Sequence, residues 1–236
     1  MTPDSSLLSG TTLSLATNSS STIEILTNCL IMLKAASSNN PQYIDRIMGP
    51  FMKILQKLYR DHLNATCSLS LTISSQVRAS STSAENSNIM NGTNSTSITC
   101  FTELLIQMID LIKYRVGVMS LEMRKMFINL ILVTLLEKSV DLRLIRYIIN
   151  LISDWIRYKN GPLMNQIPSM KEKLILLQKL TISIEKRFSE HTDIHKIFLE
   201  TIAYVYKEEA YNSNSDFKVK LEQVILVVNL FKADLL

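Results

Sequence analysis

Apolar positions recur along this chain at steps of three and four. That spacing places them on one face of an α-helix. The clearest case is YRVGVMSLEMRKMFINLILVTLLEK at 114–138. There Met119, Met123, Met126, Phe127, Leu130, Ile131 and Thr134 form a stripe, and Arg124, Lys125, Glu137 and Lys138 fall largely outside it. The same pattern returns at 142–156 and 172–188. Upstream, Ile23, Leu26, Leu30 and Leu33 keep helical spacing within 22–36, and Ile47, Phe51, Ile54, Leu55 and Leu58 do so within 42–63. SSNNP at 37–41 separates these two helices with polar turn formers and a proline suited to a first helical turn. Gly49-Pro50 predicts a kink in a continuous second helix, because a proline removes a backbone donor and crowds the preceding turn, the alternative being two short helices jointed there.

Residues 99–236 predict six helices, near 100–114, 119–137, 140–158, 169–188, 192–210 and 216–232. Ser120 is a candidate cap, and Ser139 with Asp141 opens the third of these helices. Asn160-Gly161-Pro162 stops it. Ser169 and Glu172, three apart, have the spacing of a capping box. The six helices make three antiparallel pairs of about 40–50 residues each, the length of HEAT or armadillo units. Such units stack because each leaves part of its apolar face for a neighbour. The expected fold is all-α: an α-solenoid of HEAT-like antiparallel helical hairpins. The chain closes on FKADLL straight after an apolar helix, which predicts further chain or a partner against that helix.

Two stretches break the pattern. Residues 1–21 are rich in Ser, Thr and Leu and predict a poorly ordered lead-in before a 22–63 hairpin. Residues 64–98 are rich in Ser, Thr and Asn, which compete for backbone hydrogen bonds, and offer few large apolar groups to offset ordering entropy. They predict a disordered insertion ahead of the repeats at 99–236.

Composition narrows the function. Hydrophobic residues make up 47% of the 236 and charged residues 19%, with five glycines and five prolines. The net charge of +4 is mild and spread along the chain, unlike the concentrated basic face of most nucleic-acid domains. Cys29, Cys67 and Cys100 are an odd number at no metal-ligand spacing, which points to a reducing compartment. Cys29, in ILTNCLIML, is expected in the core. The first residues lack a basic region followed by an apolar core, so no secretory signal is expected. The sequons at Asn18, Asn64, Asn91 and Asn94 then read as by-products of Ser/Asn richness. FINLILVTLL and VILVVNLF are too short to span a bilayer.

Candidate chemistry is sparse. His191 and His195 are four apart, a spacing that can share zinc. They lack the glutamate of a zinc-protease motif and a third ligand, and are expected as surface histidines. Asp141, Asp154, Glu185, Glu190 and Glu200 form no evident acid–base pair, and no P-loop, GxGxxG or kinase signature is present. Arg143, Arg146, Tyr147, Trp155 and Tyr158 share one helix and could make a basic-aromatic face for RNA or acidic peptide. The alternative is solvated arginines with Trp155 anchoring the core. Met119, Met123 and Met126 could line an adaptable groove for a partner helix, or be plain core. No catalytic, cofactor-binding or metal-binding residue is assigned, and no cofactor is expected.

The 114–138 segment, with IDRIMGPFMKILQKLYRDHL at 44–63 and IEKRF at 184–188, resembles the transformation/transcription domain-associated type of pseudokinase scaffold, a branch of the phosphatidylinositol-3-kinase-related family. The likeness covers 41–63 and about 101–236. It implies a piece of the helical-repeat region upstream of that family's FAT and kinase-like domains. It further implies a non-catalytic coactivator scaffold in the nucleus. The implied partners are subunits of SAGA-like and related histone acetyltransferase complexes, transcriptional activators and the rest of its own solenoid. Membranes, small-molecule substrates and direct nucleic-acid contact are not expected. The rivals are another solenoid, such as a transport adaptor or phosphatase scaffold, and a helical repeat that binds nucleic acid with steep salt dependence.

Overall fold

The computed structural model describes the backbone of residues 10–76, 90–157, 167–188, 190–207, 219 and 222–223. Every regular element among them is helical. They divide into two compact units, Met1–Ile47 and Met48–Leu236.

The first unit holds helix α1, Gly10–Asn39, and the opening residues, 42–47, of the next helix. Helix α1 reaches back well before residue 22, so the lead-in expected over 1–21 is helical from Gly10; residues 1–9 lie outside the described ones. Asn40 turns the chain: its carbonyl accepts from the Tyr43 amide at 3.2 Å, and its side-chain oxygen accepts from the Gln42 amide at 3.2 Å. This Asx-type bond offers the backbone an alternative to the helical ladder, which is why α1 ends at SSNNP. Leu30 is buried, whereas Cys29 is exposed, contrary to the expectation of a core thiol. One position along a helix is about 100° of rotation, enough to carry a side chain off the buried stripe.

Helix α2, Gln42–Gln76, is continuous through Pro50. Gly49 has nothing within 4 Å of where a Cβ would sit and Pro50 is exposed, so the missing amide falls on an open side of the helix. The buried stripe is Ile44, Met48, Phe51, Met52, Leu55, Leu58, Tyr59, His62 and Thr66. Ile47 and Ile54, expected on it, are exposed. The helix runs past the expected boundary at 63, and α3 begins at Met90, ahead of the expected 99. Of the expected insertion at 64–98, residues 77–89 lie outside the described ones.

In the second unit the chain then passes back and forth. Helix α3 spans Met90–Ile112, and a short 3-10 turn, Val116–Val118, leads into a rod of three joined pieces. These are α4 (Leu121–Lys125), a π-helical segment (Met126–Leu132) and α5 (Val133–Lys138). Helices α6 (Leu142–Arg157), α7 (Met170–Arg187) and α8 (Thr192–Lys207) follow. Helices α3, α6 and α8 pack side by side in one layer, and the α4–α5 rod packs with α7 in the other. This double layer is the architecture of stacked helical hairpins. The second helix of the last expected pair, 216–232, lies outside the described residues except Val219, Glu222 and Gln223, which are helical.

The local rules that set these boundaries are visible. Ser120 Oγ accepts from the Met123 amide and caps α4. Asp141 Oδ1 accepts from the Arg143 and Leu144 amides at 2.9 and 3.4 Å and caps α6. The Ser169–Glu172 capping box is complete: Ser169 Oγ accepts from the Glu172 amide, and Glu172 Oε2 accepts from the Ser169 amide at 2.8 Å. Each cap satisfies amides that the first helical turn leaves without partners.

The π-helical segment alters the stripe expected over 119–134. An i→i+5 turn holds more than four residues, so four-residue steps stay in line along the helix. Two rows are therefore buried, Phe127–Ile131–Leu135 and Ile128–Leu132–Leu136, while Leu130, expected inside, is 43% exposed.

Candidate functional site: an interlocked helical scaffold with an apolar outer face

The candidate basic-aromatic face on α6 is already occupied by neighbouring helices. Toward α3, Arg143 pairs with Glu103 at 3.0 Å, the Tyr147 hydroxyl donates to Asp110 Oδ1 at 3.3 Å, and Trp155 Nε1 donates to the Lys113 carbonyl at 3.0 Å. Burial and the Asp110 carboxylate push the Tyr147 phenol well above its ordinary range, so it stays a neutral donor. Toward α8, Arg146 pairs with Asp193 at 2.5 Å and Arg157 with Glu200 at 3.7 Å. The hydrogen bond from Arg146 holds the Asp193 carboxyl below its usual value. Thr201 Oγ1 donates to Ser153 Oγ at 2.9 Å, and the Tyr204 hydroxyl donates to the Arg157 carbonyl at 2.9 Å. Tyr158, the remaining member of the face, lies outside the described residues. The exposed ion pairs are screened by solvent and contribute little to stability, so their value lies in fixing which helix sits where. Trp155 is fully buried, edge-to-face with Phe127 at 6.4 Å and 72°. That contact ties the two layers together.

The second layer is stapled in the same way. Lys179 of α7 pairs with Glu137 of α5 at 3.6 Å, and Arg124 of α4 pairs with Glu172 at 3.6 Å. Arg124 Nη2 also donates to the Gly117 carbonyl at 3.0 Å, so one side chain joins the 3-10 turn, α4 and the cap of α7.

A buried polar corner lies between α5 and α6. His62 of α2 is fully buried, with Nε2 2.9 Å from Ser139 Oγ. Thr102 of α3 donates to Asp141 Oδ2 at 2.6 Å. Arg187 of α7 donates to the carbonyls of Leu136 and of Ser139, the latter at 2.6 Å. Those carbonyls belong to the end of α5, where helical partners run out. Burial lowers the His62 pKa, against a smaller opposing pull from Asp141, and burial also lowers that of Arg187. Composition and motif reasoning missed His62 and Arg187 here. A signal for His62 existed: it follows Leu58 by four and Tyr59 by three, on the core stripe of α2. Nothing local in the sequence marks Arg187.

The methionine reading divides. Met119 is core, whereas Met123 and Met126 are half-buried on the outer face of the rod. They line a shallow depression with Lys125, Asn129 and Leu130. Beside it, a groove between α4 and α7 is lined by Leu121, Ile128 and Ile175, with Arg124, Lys171 and Glu172 at its edge. Leu121 is 60% and Ile175 37% exposed. These neighbouring concavities are shallow, with no convergent acid, base and nucleophile.

His191 and His195 are half-buried rather than the open surface groups expected. The His191 ring lies 6.0 Å from that of Phe188, and its amide donates to the Phe188 carbonyl, which folds the turn ahead of α8 back on α7. Among the described residues no three His, Cys, Asp or Glu side chains gather as a metal site, and no helix is long and apolar enough to cross a membrane. Lys173, buried in the first turn of α7, has its pKa lowered by burial to about 8.

Two layers of packed helices, cross-linked by ion pairs and hydrogen bonds and carrying an apolar groove on the outer face, define a HEAT-type α-solenoid. The family model of the Tra1 HEAT repeat ring region matches residues 8–231, and the chain belongs to that family. It is 40% identical over 197 residues to the human transformation/transcription domain-associated protein, covering 84% of this chain and 4% of that protein. It is 38% identical over 180 residues to the Drosophila melanogaster transcription-associated protein 1, covering 76% and 4%. It is 26% identical over 208 residues to Tra1 of Schizosaccharomyces pombe, described as a subunit of the SAGA complex and NuA4 acetyltransferase complex, covering 87% and 5%. The chain thus spans about one twenty-fifth of the length of the human and fly relatives.

Proposed function

We propose that this chain is a non-catalytic scaffold segment of a transcription coactivator subunit that works in SAGA-like and NuA4-like histone acetyltransferase complexes in the nucleus. The observation that carries the proposal is the match over residues 8–231 to the Tra1 HEAT repeat ring region. The geometry supports it. Polar side chains on α3 to α8 join helices, and the described surface offers apolar contact area at the α4–α7 groove. The groove at Leu121, Ile128 and Ile175 offers apolar area on which another helix of a long solenoid can pack. The remaining surface takes subunits of the complex and transcriptional activators. The mild positive charge speeds the approach of acidic segments more than it adds affinity. The engagement of Arg143, Arg146 and Arg157 by acidic residues favours this reading over nucleic-acid binding.

Purification of the tagged intact protein from nuclear extract tests the proposal. Recovery of acetyltransferase-complex subunits that persists after nuclease treatment is the expected result. Recovery of nuclease-sensitive partners alone, with no acetyltransferase subunit, overturns it.

A further inference from the structure

In a simple solenoid each hairpin is held by itself and its immediate neighbours, so it can open with little effect two hairpins away. The corner at residues 139–141 brings three successive hairpins to one point. It receives His62 from the preceding α2, Thr102 from α3 and Arg187 from the following α7. Ser139 is used twice over: its side-chain oxygen meets His62 Nε2 and accepts from the Asp141 amide at 3.2 Å, while its carbonyl accepts from Arg187. Asp141 likewise divides its carboxylate between the cap of α6 and the Thr102 hydroxyl. His62, Thr102 and Ser139 are fully buried. A displacement that frees one of these groups leaves its partner desolvated and unsatisfied, which costs more than the bond itself contributes.

We propose that the Ser139–Asp141 corner is a lock that makes α2, α3, α6 and α7 open together as one cooperative block instead of hairpin by hairpin. The segment then behaves in its solenoid as a stiff strut. Arg187 and Thr102 are its two outer keys: no hydrogen bond or ion pair joins them to each other, and both act through the corner.

The test is a double-mutant cycle of Thr102→Val and Arg187→Met, read by amide hydrogen exchange on the intact protein. Arg187→Met should raise exchange tenfold or more at 142–149, and also in α2 near 55–66 and in α3 near 104–112, which Arg187 does not bond. The double variant should open less than the product of the two single effects by more than about threefold, since independent sites combine to within about a factor of two. Arg187→Lys, which keeps the charge but not the two-pronged geometry, combined with Thr102→Val gives the same cycle in milder form if the first pair does not fold. Added exchange confined to α7 and the corner, or a double effect equal to the product, overturns the proposal.

Discussion

Replacing Trp155 with Phe tests how α6 is tied to α3. Trp155 is fully buried on α6, donates Nε1–H to the Lys113 carbonyl at 3.0 Å and stands edge-to-face on Phe127. The phenyl ring keeps the aromatic contact but loses the donor. The hydrogen bond accounts for about 1 kcal/mol, and the Lys113 carbonyl loses its partner near the end of α3. The lost ring volume, roughly three methylene equivalents at about 0.8 kcal/mol each, adds about 2 kcal/mol. The sum is about 3 kcal/mol, or a hundredfold or more in the opening equilibrium. Hydrogen exchange on the intact protein should show that loss of protection at 108–112 and at 148–156 together, because the bond spans α3 and α6. A drop under threefold in both stretches would refute the reasoning, and a drop in α6 alone would show that the Lys113 bond does not carry the contact.

Other changes follow from the same geometry. Ser169→Ala removes the cap of α7 and should cost about 1 kcal/mol, read as faster exchange in 170–174, with Glu172→Gln milder because an amide oxygen still accepts. Burial lowers the His62 pKa from 6.5. Its contribution is thus fully present above pH 6.5 and is lost as pH falls through the lower, folded value. A titration of stability between pH 7 and pH 5 should show this fall, and His62→Gln should flatten it. Arg146→Gln should leave the denaturation midpoint of the intact protein nearly unchanged, since the Asp193 pair is half exposed; a clear drop in the midpoint would contradict the view that these surface pairs specify position more than they stabilise.

The fold class was readable from residues alone because helical spacing, caps and breakers act over a few positions. Ser120, Asp141 and the Ser169–Glu172 box stand where local chemistry puts them. The continuity of α2 through Pro50 was the favoured of two readings, since apolar spacing persists on both sides of it. Placement of side chains between helices was not. Cys29 and Leu130 satisfy an apolar count yet face outward, the first by one step of helical rotation and the second because the π-helical segment shifts the stripe. The arginines of α6 suggested a basic face until Glu103, Asp193 and Glu200 from other helices met them. Arg187 lies far along the chain from the carbonyls it caps. Sequence by itself determined that this protein is a run of stacking amphipathic helices, because periodicity and capping are local. Only the tertiary structure decided which charges of α6 are paired, which methionines are surface and where the polar corner closes, because those outcomes depend on groups brought together from distant positions.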